Sequence, residues 1–269
     1  MTARLVLEYD ASRFAGWARQ PGARTVQEEV ERALAVVLRA DGVPLTVAGR
    51  TDAGVHAWGQ VASYCGSVVP VRSVNALLPD DVAALACTAA EPGFDARRDA
   101  TSRAYCYRVL ARPARSALER GRVLHWPHRL DFDALQACAE ALIGTRDFTA
   151  FTPTETDHVR FTRDVLAAYW RRHDDRGLFE FWIEADSFMR NMNRVLVGTM
   201  LEVGGGRRTV SAFTGLLTGR ARSAAGPTAP AHGLFLAAVG YGGERLLEQQ
   251  ERSSARTGPL AGPGGREPG

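Results

Sequence analysis

Ala48-Gly49-Arg50-Thr51-Asp52-Ala53-Gly54-Val55-His56-Ala57 is the stretch from which the rest of the chain can be read. It sets one carboxylate, Asp52, on a glycine-flanked turn two residues after an arginine. Gly49 and Gly54 allow the backbone to turn tightly and to approach a ligand closely. Val43 to Val47 reads as a short strand leading in, and Gly59 to Cys65 as one leading out. A carboxylate on a loop held between two strands is well placed to act on a docked substrate. Thr-Asp-Ala-Gly also caps hairpins, so the residue types alone leave a plain turn and a catalytic loop both open.

Outward from this loop the pattern alternates between strand and helix. Leu5 to Tyr9 reads as a buried strand. Thr25 and Glu28 form the spacing of a capping box, followed by the helical stripe Val26, Val30, Ala33, Leu34 and Val37, with Asp41-Gly42 as its end. Val71 to Leu78 is predicted helical, stopped by Pro79, and Ala83 to Ala89 a strand. The second half repeats a similar order. Arg103 to Arg112 is a predicted strand, and Asp133 to Ile143 a helix with Leu135, Cys138, Ala139 and Leu142 on one side and Gly144 as its stop. Val165 to Arg172 and Leu178 to Ala185 are two strands around a polar turn. Phe188 to Val203 and Val210 to Leu217 are helices, and Leu234 to Tyr241 is a final strand.

Two α/β units of related layout result, 1–98 and 99–241, with no repeat visible at the level of residues. Strands without a regular β-α-β rhythm favour an α+β fold with a mixed or antiparallel sheet and helices on one side. The stretch 242–269, rich in Gly, Pro, Ser and Arg, is expected to be a disordered tail.

At 269 residues with 45% hydrophobic and 23% charged content, the composition is that of an ordinary globular protein. All 33 basic residues are arginine, a side chain that forks onto phosphate and stacks on bases. The net charge of +3 is unremarkable, but its distribution is uneven. From Arg97 to Arg129 nine arginines stand against Asp99 and Glu119, a local net of +7 suited to a row of phosphates. Cys65, Cys87, Cys106 and Cys138 form no CxxC pair and read as small apolar residues in a reducing compartment. His125 and His128 lack further ligand spacing, so no metal site is expected. Met1-Thr2-Ala3-Arg4 leads straight into a strand, and no apolar run is long enough to span a membrane; a cytoplasmic location is the expectation.

The ten-residue word resembles the catalytic signature of the tRNA pseudouridine synthase A family. The resemblance runs from about Arg4 to Tyr241. It includes Tyr9-Asp10-Ala11-Ser12-Arg13-Phe14-Ala15-Gly16-Trp17, Asn75-Ala76-Leu77-Leu78-Pro79, Arg103-Ala104-Tyr105-Cys106-Tyr107 and Phe188-Met189-Arg190-Asn191-Met192-Asn193-Arg194-Val195-Leu196-Val197-Gly198, in the family's order. It implies two ferredoxin-like halves sharing one central sheet with a catalytic cleft between them. It also implies isomerisation of uridines at positions 38 to 40 of the tRNA anticodon arm, by a homodimer. That reaction breaks a C–N glycosidic bond, turns the base over and rejoins it through carbon. Nothing is oxidised, so neither metal nor organic cofactor is implied.

By the same resemblance Asp52 is the catalytic carboxylate. Tyr105 is the platform on which the target base stacks, and Arg194 the cation that pairs with Asp52. Arg50 could fill the gap left by a flipped nucleotide or clamp a phosphate, or it could simply stabilise the loop. Tyr107, Phe14, Trp17 and Phe188 read as packing residues, and His56 as a hydrogen-bonding residue that steadies the loop. Arg190 and Arg194 are expected one helical turn apart. The chain departs from the family at Ala11, where glycine is usual, at Asp95, where histidine is usual, and at Asn193 and Val195, which replace apolar and polar residues around Arg194. A non-catalytic RNA-binding module and an enzyme acting on a free nucleotide are the rival readings.

Overall fold

A computed structural model describes residues 1–156 and 159–248. The strands are β1 Thr2–Tyr9, β2 Thr46–Val47, β3 His56–Cys65, β4 Val82–Ala90, β5 Ala100–Leu110, β6 Leu124–His125, β7 Gly144–Asp147, β8 Thr162–His173, β9 Leu178–Ala185 and β10 Leu234–Tyr241. The helices are α1 Val26–Leu38, α2 Val71–Asn75, α3 Phe132–Leu142, α4 Met192–Gly204 and α5 Val210–Thr214. Among the described residues one sheet runs in the order β4-β1-β3-β10-β5-β9-β8-β7, with β2 beside β3 and β6 beside β5.

That order contains the same layout twice. The first half runs β1-α1-β2-β3-α2-β4, with β4, β1, β3 and β2 side by side and every pair antiparallel. The second half runs β5-α3-β8-β9-α4-β10, with β10, β5, β9 and β8 side by side, again antiparallel. Each is a ferredoxin-like βαββαβ unit. The halves meet where Phe235 and Leu236 of β10 pair in parallel with His56 and Ala57 of β3. This meeting is possible because β2 is only two residues long and covers β3 at Ala62 and Ser63, leaving the His56 end free. The loop between β2 and β3, which carries Asp52, therefore lies at the seam.

Alternation along the strands sends one face of the sheet into the core. Leu5, Leu7, Val30, Leu34, Ala62, Tyr107, Leu135, Phe181, Ile183, Leu196 and Met200 belong to one continuous buried cluster spanning both halves. The opposite face carries a separate aromatic group, in which Trp58 stacks on Phe235 at 4.4 Å and leans on Trp182 at 6.0 Å.

Several boundaries differ from the sequence reading. The expected capping box is not formed: Thr25 is fully buried and its hydroxyl has no hydrogen-bond partner among the described residues, while the helix entrance is held by Arg24, which bridges Glu29 and Asp81. Helix α2 stops at Asn75, because Asn75 turns its amide onto the β4 backbone at Ala84. Gly144 stops α3 as expected and opens the short strand β7, which the pattern did not announce. Of residues 242–248, placed with the tail on composition, Leu246 and Leu247 pack against the sheet. Leu247 is buried, and the Glu184 carboxylate accepts from the Leu246 and Leu247 amides at 3.2 and 3.0 Å. The rest of the predicted tail lies outside the described residues.

His56 steadies the start of β3 in its neutral form. Its Nδ1 accepts from the Ala11 amide at 3.0 Å, and its Nε2 donates to the Gly121 carbonyl at 2.9 Å. Burial pushes its pKa below the ordinary 6.5, against the opposing pull of the Asp10 carboxylate. His232 is shifted the same way by burial. The unfolded chain therefore binds more protons, and the stability these residues confer is present above pH 6.5 and lost as the pH falls below it. Asp10, held down at about 2, stays ionised through this window. The melting temperature is expected to fall between pH 7.5 and pH 5.5, with a shallower slope for His56→Gln. A flat profile in the wild-type protein would contradict this.

Candidate active site

The Asp52 loop is held from both halves of the sheet. The Val55 amide donates to the Asp52 carbonyl at 3.1 Å, and Gly54 takes a φ of +76°, a left-handed conformation that suits glycine. From the first half, the Trp17 amide donates to the Thr51 carbonyl at 3.0 Å, and the Tyr9 and Thr51 hydroxyls share a hydrogen bond of 2.8 Å. Gln60 donates to the Gly49 carbonyl at 2.7 Å and to the Tyr9 hydroxyl at 3.2 Å. Gly16 sits so close that a Cβ there would lie 3.0 Å from the Thr51 carbonyl.

From the second half comes Arg103 on β5. Its Nη2 and Nε donate to the Ala48 carbonyl at 2.8 and 3.3 Å, and its Nη1 to the Ala100 and Asp186 carbonyls at 3.1 Å. Nη2 also reaches the Arg97 carbonyl at 2.9 Å. Arg103 is thus a clamp between the loop and the ends of β5 and β9, and burial lowers its pKa from the ordinary value. Sequence reading gave Arg103 no role, because its partner Ala48 is 55 residues away. Tyr9 and Gln60 were missed for the same reason.

The loop forms one wall of a cleft of about 920 Å³. Arg50, Arg97, Arg103, Arg163, Arg190 and Arg194 line it, against the acids Asp52 and Glu155. Such a hollow concentrates anions and favours a polyanionic substrate. Asp52 is exposed at this wall, and among the described residues its carboxylate makes no hydrogen bond or ion pair. Tyr105 also lines the cleft, with its ring edge-on to Phe188 at 5.0 Å. Its hydroxyl has no hydrogen-bond partner among the described residues. Burial pushes its pKa up to about 12, with Arg103 pulling down and the Asp52 charge adding to the rise. Tyr107, on the same strand face, is fully buried and donates to the Pro230 carbonyl at 2.8 Å, as a packing residue should.

Five expectations need correction. The Arg194–Asp52 ion pair is not made. Arg194 Nε donates to the Ala229 carbonyl at 2.7 Å, and its Nη1 to Asn191 Oδ1 at 3.0 Å. The cause is local: Asn191 takes a left-handed φ of 60°, which delays the helix to Met192 and swings the Asn191 amide under the guanidinium. For that reason Arg190 lies outside the helix and is not stacked one turn from Arg194; both still line the cleft. Phe188 lines the cleft too, only half-buried. Finally, the arginines from 97 to 129 do not form one track. Arg97 and Arg103 face the cleft, whereas Arg108 pairs with Glu119 and Glu180, and Arg122 with Asp10, around a separate hollow of about 350 Å³ that also takes in Trp58 and Phe235. His56, expected to steady the Asp52 loop, bonds across to residues 11 and 121 instead.

Comparison with known proteins identifies the family. A family model described as tRNA pseudouridine synthase matches residues 138–242. Three proteins named tRNA pseudouridine synthase A align over nearly the whole chain. That of Shouchella clausii is 42% identical over 244 residues, covering 88% of this chain and 92% of its own. That of Frankia casuarinae is 44% identical over 244 residues, covering 88% of each. That of Bacillus subtilis is 37% identical over 247 residues, covering 90% of this chain and 99% of its own. With relatives this similar over this much of its length, and a twinned ferredoxin-like sheet whose seam carries an aspartate loop, the chain belongs to the tRNA pseudouridine synthase A family of isomerases.

Proposed function

We propose that this chain isomerises uridines at positions 38 to 40 of the tRNA anticodon arm, with Asp52 as the catalytic carboxylate. The observation that carries the reading is the exposed, unpartnered Asp52 carboxylate beside Tyr105 in a cleft lined by six arginines. A stacked uridine must leave its helix to reach such a hollow, and the exposed Arg50 is placed to occupy the gap or hold a phosphate. Tyr105 and Phe188 offer aromatic surface for the flipped base. Asp52 acts on the base or sugar to release the glycosidic bond. After the base has turned, C5 bonds to the sugar and its proton is lost while N1 gains one, so the product is an isomer and no external reactant is consumed. Arg194, held by Ala229 and Asn191 in the free protein, stands in the same cleft to receive the substrate or the charge of Asp52.

The protein is proposed to work without metal or organic cofactor, in the cytoplasm. Among the described residues no helix is long and apolar enough to cross a membrane. It is further proposed to act as a homodimer, with the exposed Trp58, stacked on the buried Phe235, as one apolar contact point.

The test is pseudouridine formation in an unmodified tRNA transcript by purified protein without added metal. Conversion within the anticodon arm is expected. Tight binding without conversion would favour a non-catalytic RNA-binding module. Tyr105 is also proposed to take the C5 proton, so Tyr105→Phe, which keeps the ring and removes the hydroxyl, is expected to bind the same RNA with little change and to turn over roughly 100-fold more slowly. Single-turnover rates beside a binding titration check this, and equal rates for the two proteins would remove Tyr105 from the proton transfer.

A further inference from the structure

We infer that the Asn193 carboxamide holds the imide edge of the target uracil and serves as a pivot for the base as it turns over. The inference rests on the proposed function and adds a substrate-contacting residue to it. Asn193 is the second residue of α4 and lines the same cleft as Asp52 and Tyr105. It is 95% buried, at 5% exposure, yet its Oδ1 has no hydrogen-bond partner among the described residues. No other hydrogen bond of its carboxamide is found among the described residues. An acceptor withdrawn from water and left unpaired is destabilising, so a side chain kept in that state points to a missing partner. Its neighbours on the helix do not behave this way: Thr199 bonds the Val195 carbonyl and the Gly226 amide, and Arg194 bonds Ala229 and Asn191.

The chemistry of the base identifies the partner. A carboxamide offers one acceptor and one donor in a plane. The uracil imide edge offers N3–H between two carbonyls, so N3–H can donate to Oδ1 while a flanking carbonyl accepts from Nδ2. This match holds whichever way round the amide is assigned its oxygen and nitrogen, since an acceptor and a donor are presented in either case. The reaction adds a second reason. Isomerisation exchanges N1 and C5 at the sugar, which amounts to rotating the ring by half a turn about its N3–C6 axis. That rotation exchanges the two carbonyls and leaves the imide edge superimposed on itself. A contact made there is therefore equally good before and after the base has turned, and it holds the detached base against loss from the cleft.

The test is a cycle between side chain and substrate atom, using anticodon-arm tRNA carrying either uridine or 3-methyluridine at the modified position, with wild type and Asn193→Val. Methylation removes the N3–H and leaves Oδ1 unpaired. In the wild-type protein it is expected to lower kcat/KM about 30-fold. In Asn193→Val the two substrates are expected to differ by less than about 3-fold, with uridine itself losing roughly 10-fold in kcat/KM. Asn193→Val is also expected to melt at a higher temperature than wild type, because it replaces an unpaired buried acceptor by an apolar group, and this separates a lost contact from a damaged fold. The same methylation ratio in both proteins, with uridine converted normally, would overturn the Asn193 assignment and leave the proposed function standing. Failure of the wild-type protein to convert uridine would overturn the proposed function, and this inference with it.

Discussion

Asp52→Asn is expected to lower turnover by about ten-thousand-fold or more while leaving tRNA affinity within a few-fold of wild type. The substitution keeps the shape of the side chain and removes its charge and its nucleophilic oxygen. Nothing else in the fold depends on it, because among the described residues the carboxylate has no hydrogen bond and no ion pair. The loop is held instead through the main chain and through Thr51, by Trp17, Tyr9, Gln60 and Arg103. The melting temperature of Asp52→Asn should therefore match that of wild type, and a small increase in RNA affinity is reasonable once a negative charge leaves an arginine-lined cleft. The experiment compares single-turnover pseudouridine formation with equilibrium binding for the same two proteins. Turnover by the variant within 100-fold of wild type would reject Asp52 as the catalytic group. A matching loss of binding would instead assign it to RNA recognition.

Gly198→Ala is expected to produce the largest loss of stability from a single added methyl. Gly198 lies one helical turn after Arg194 on α4, and a Cβ built there would fall 1.8 Å from the Pro227 carbonyl oxygen, with the Ala229 amide 3.3 Å away. Both neighbours are backbone, so no side chain can swing aside. The demand here is for space and not for an unusual backbone angle, since Gly198 is not among the glycines with positive φ. Either α4 or the segment 226–230 must move, at a cost of about 3 kcal/mol. In a chain of this size that lowers the melting temperature by roughly 6–12 °C. The movement carries a functional penalty too. The segment that would be displaced supplies the Ala229 carbonyl to Arg194, and its amide returns to the Arg194 carbonyl at 3.0 Å. Calorimetry and single-turnover rates at a temperature where the variant is folded would measure the two effects separately. Unchanged stability would mean that the helix and this segment do not pack as closely as described.

Much of the fold was legible because it rests on local patterns. The long strands β1, β3, β5, β8, β9 and β10 carry alternating or continuous apolar runs, and α1 and α3 carry apolar stripes bounded by stop signals. What was misread is where distant partners intervene. Thr25 has the type and spacing of a capping residue, but core packing and the Arg24 network with Asp81, 57 residues away, hold that helix end. Asn191 holds a left-handed angle that nothing in the flanking apolar period betrays, and it moved the start of α4 by four residues from Phe188 to Met192.

The candidate site divides in the same way. The sequence by itself determined the reactive residue types and their order: an aspartate on a glycine-flanked turn, a tyrosine on an alternating strand, an arginine entering a helix, and the family to which that order belongs. Only the tertiary structure decided which side chains surround Asp52. The clamp from Arg103 to Ala48 forms across the seam where β10 joins β3, while the turning of Arg194 toward Ala229 and Asn191 and the unpaired Asn193 in the cleft follow from how the start of α4 and the segment before β10 pack within the second half. The reason is physical. Periodicity and capping are properties of neighbours along the chain, whereas a hydrogen bond across a seam depends on the angles and registers of two separately built halves, which no short stretch of sequence contains.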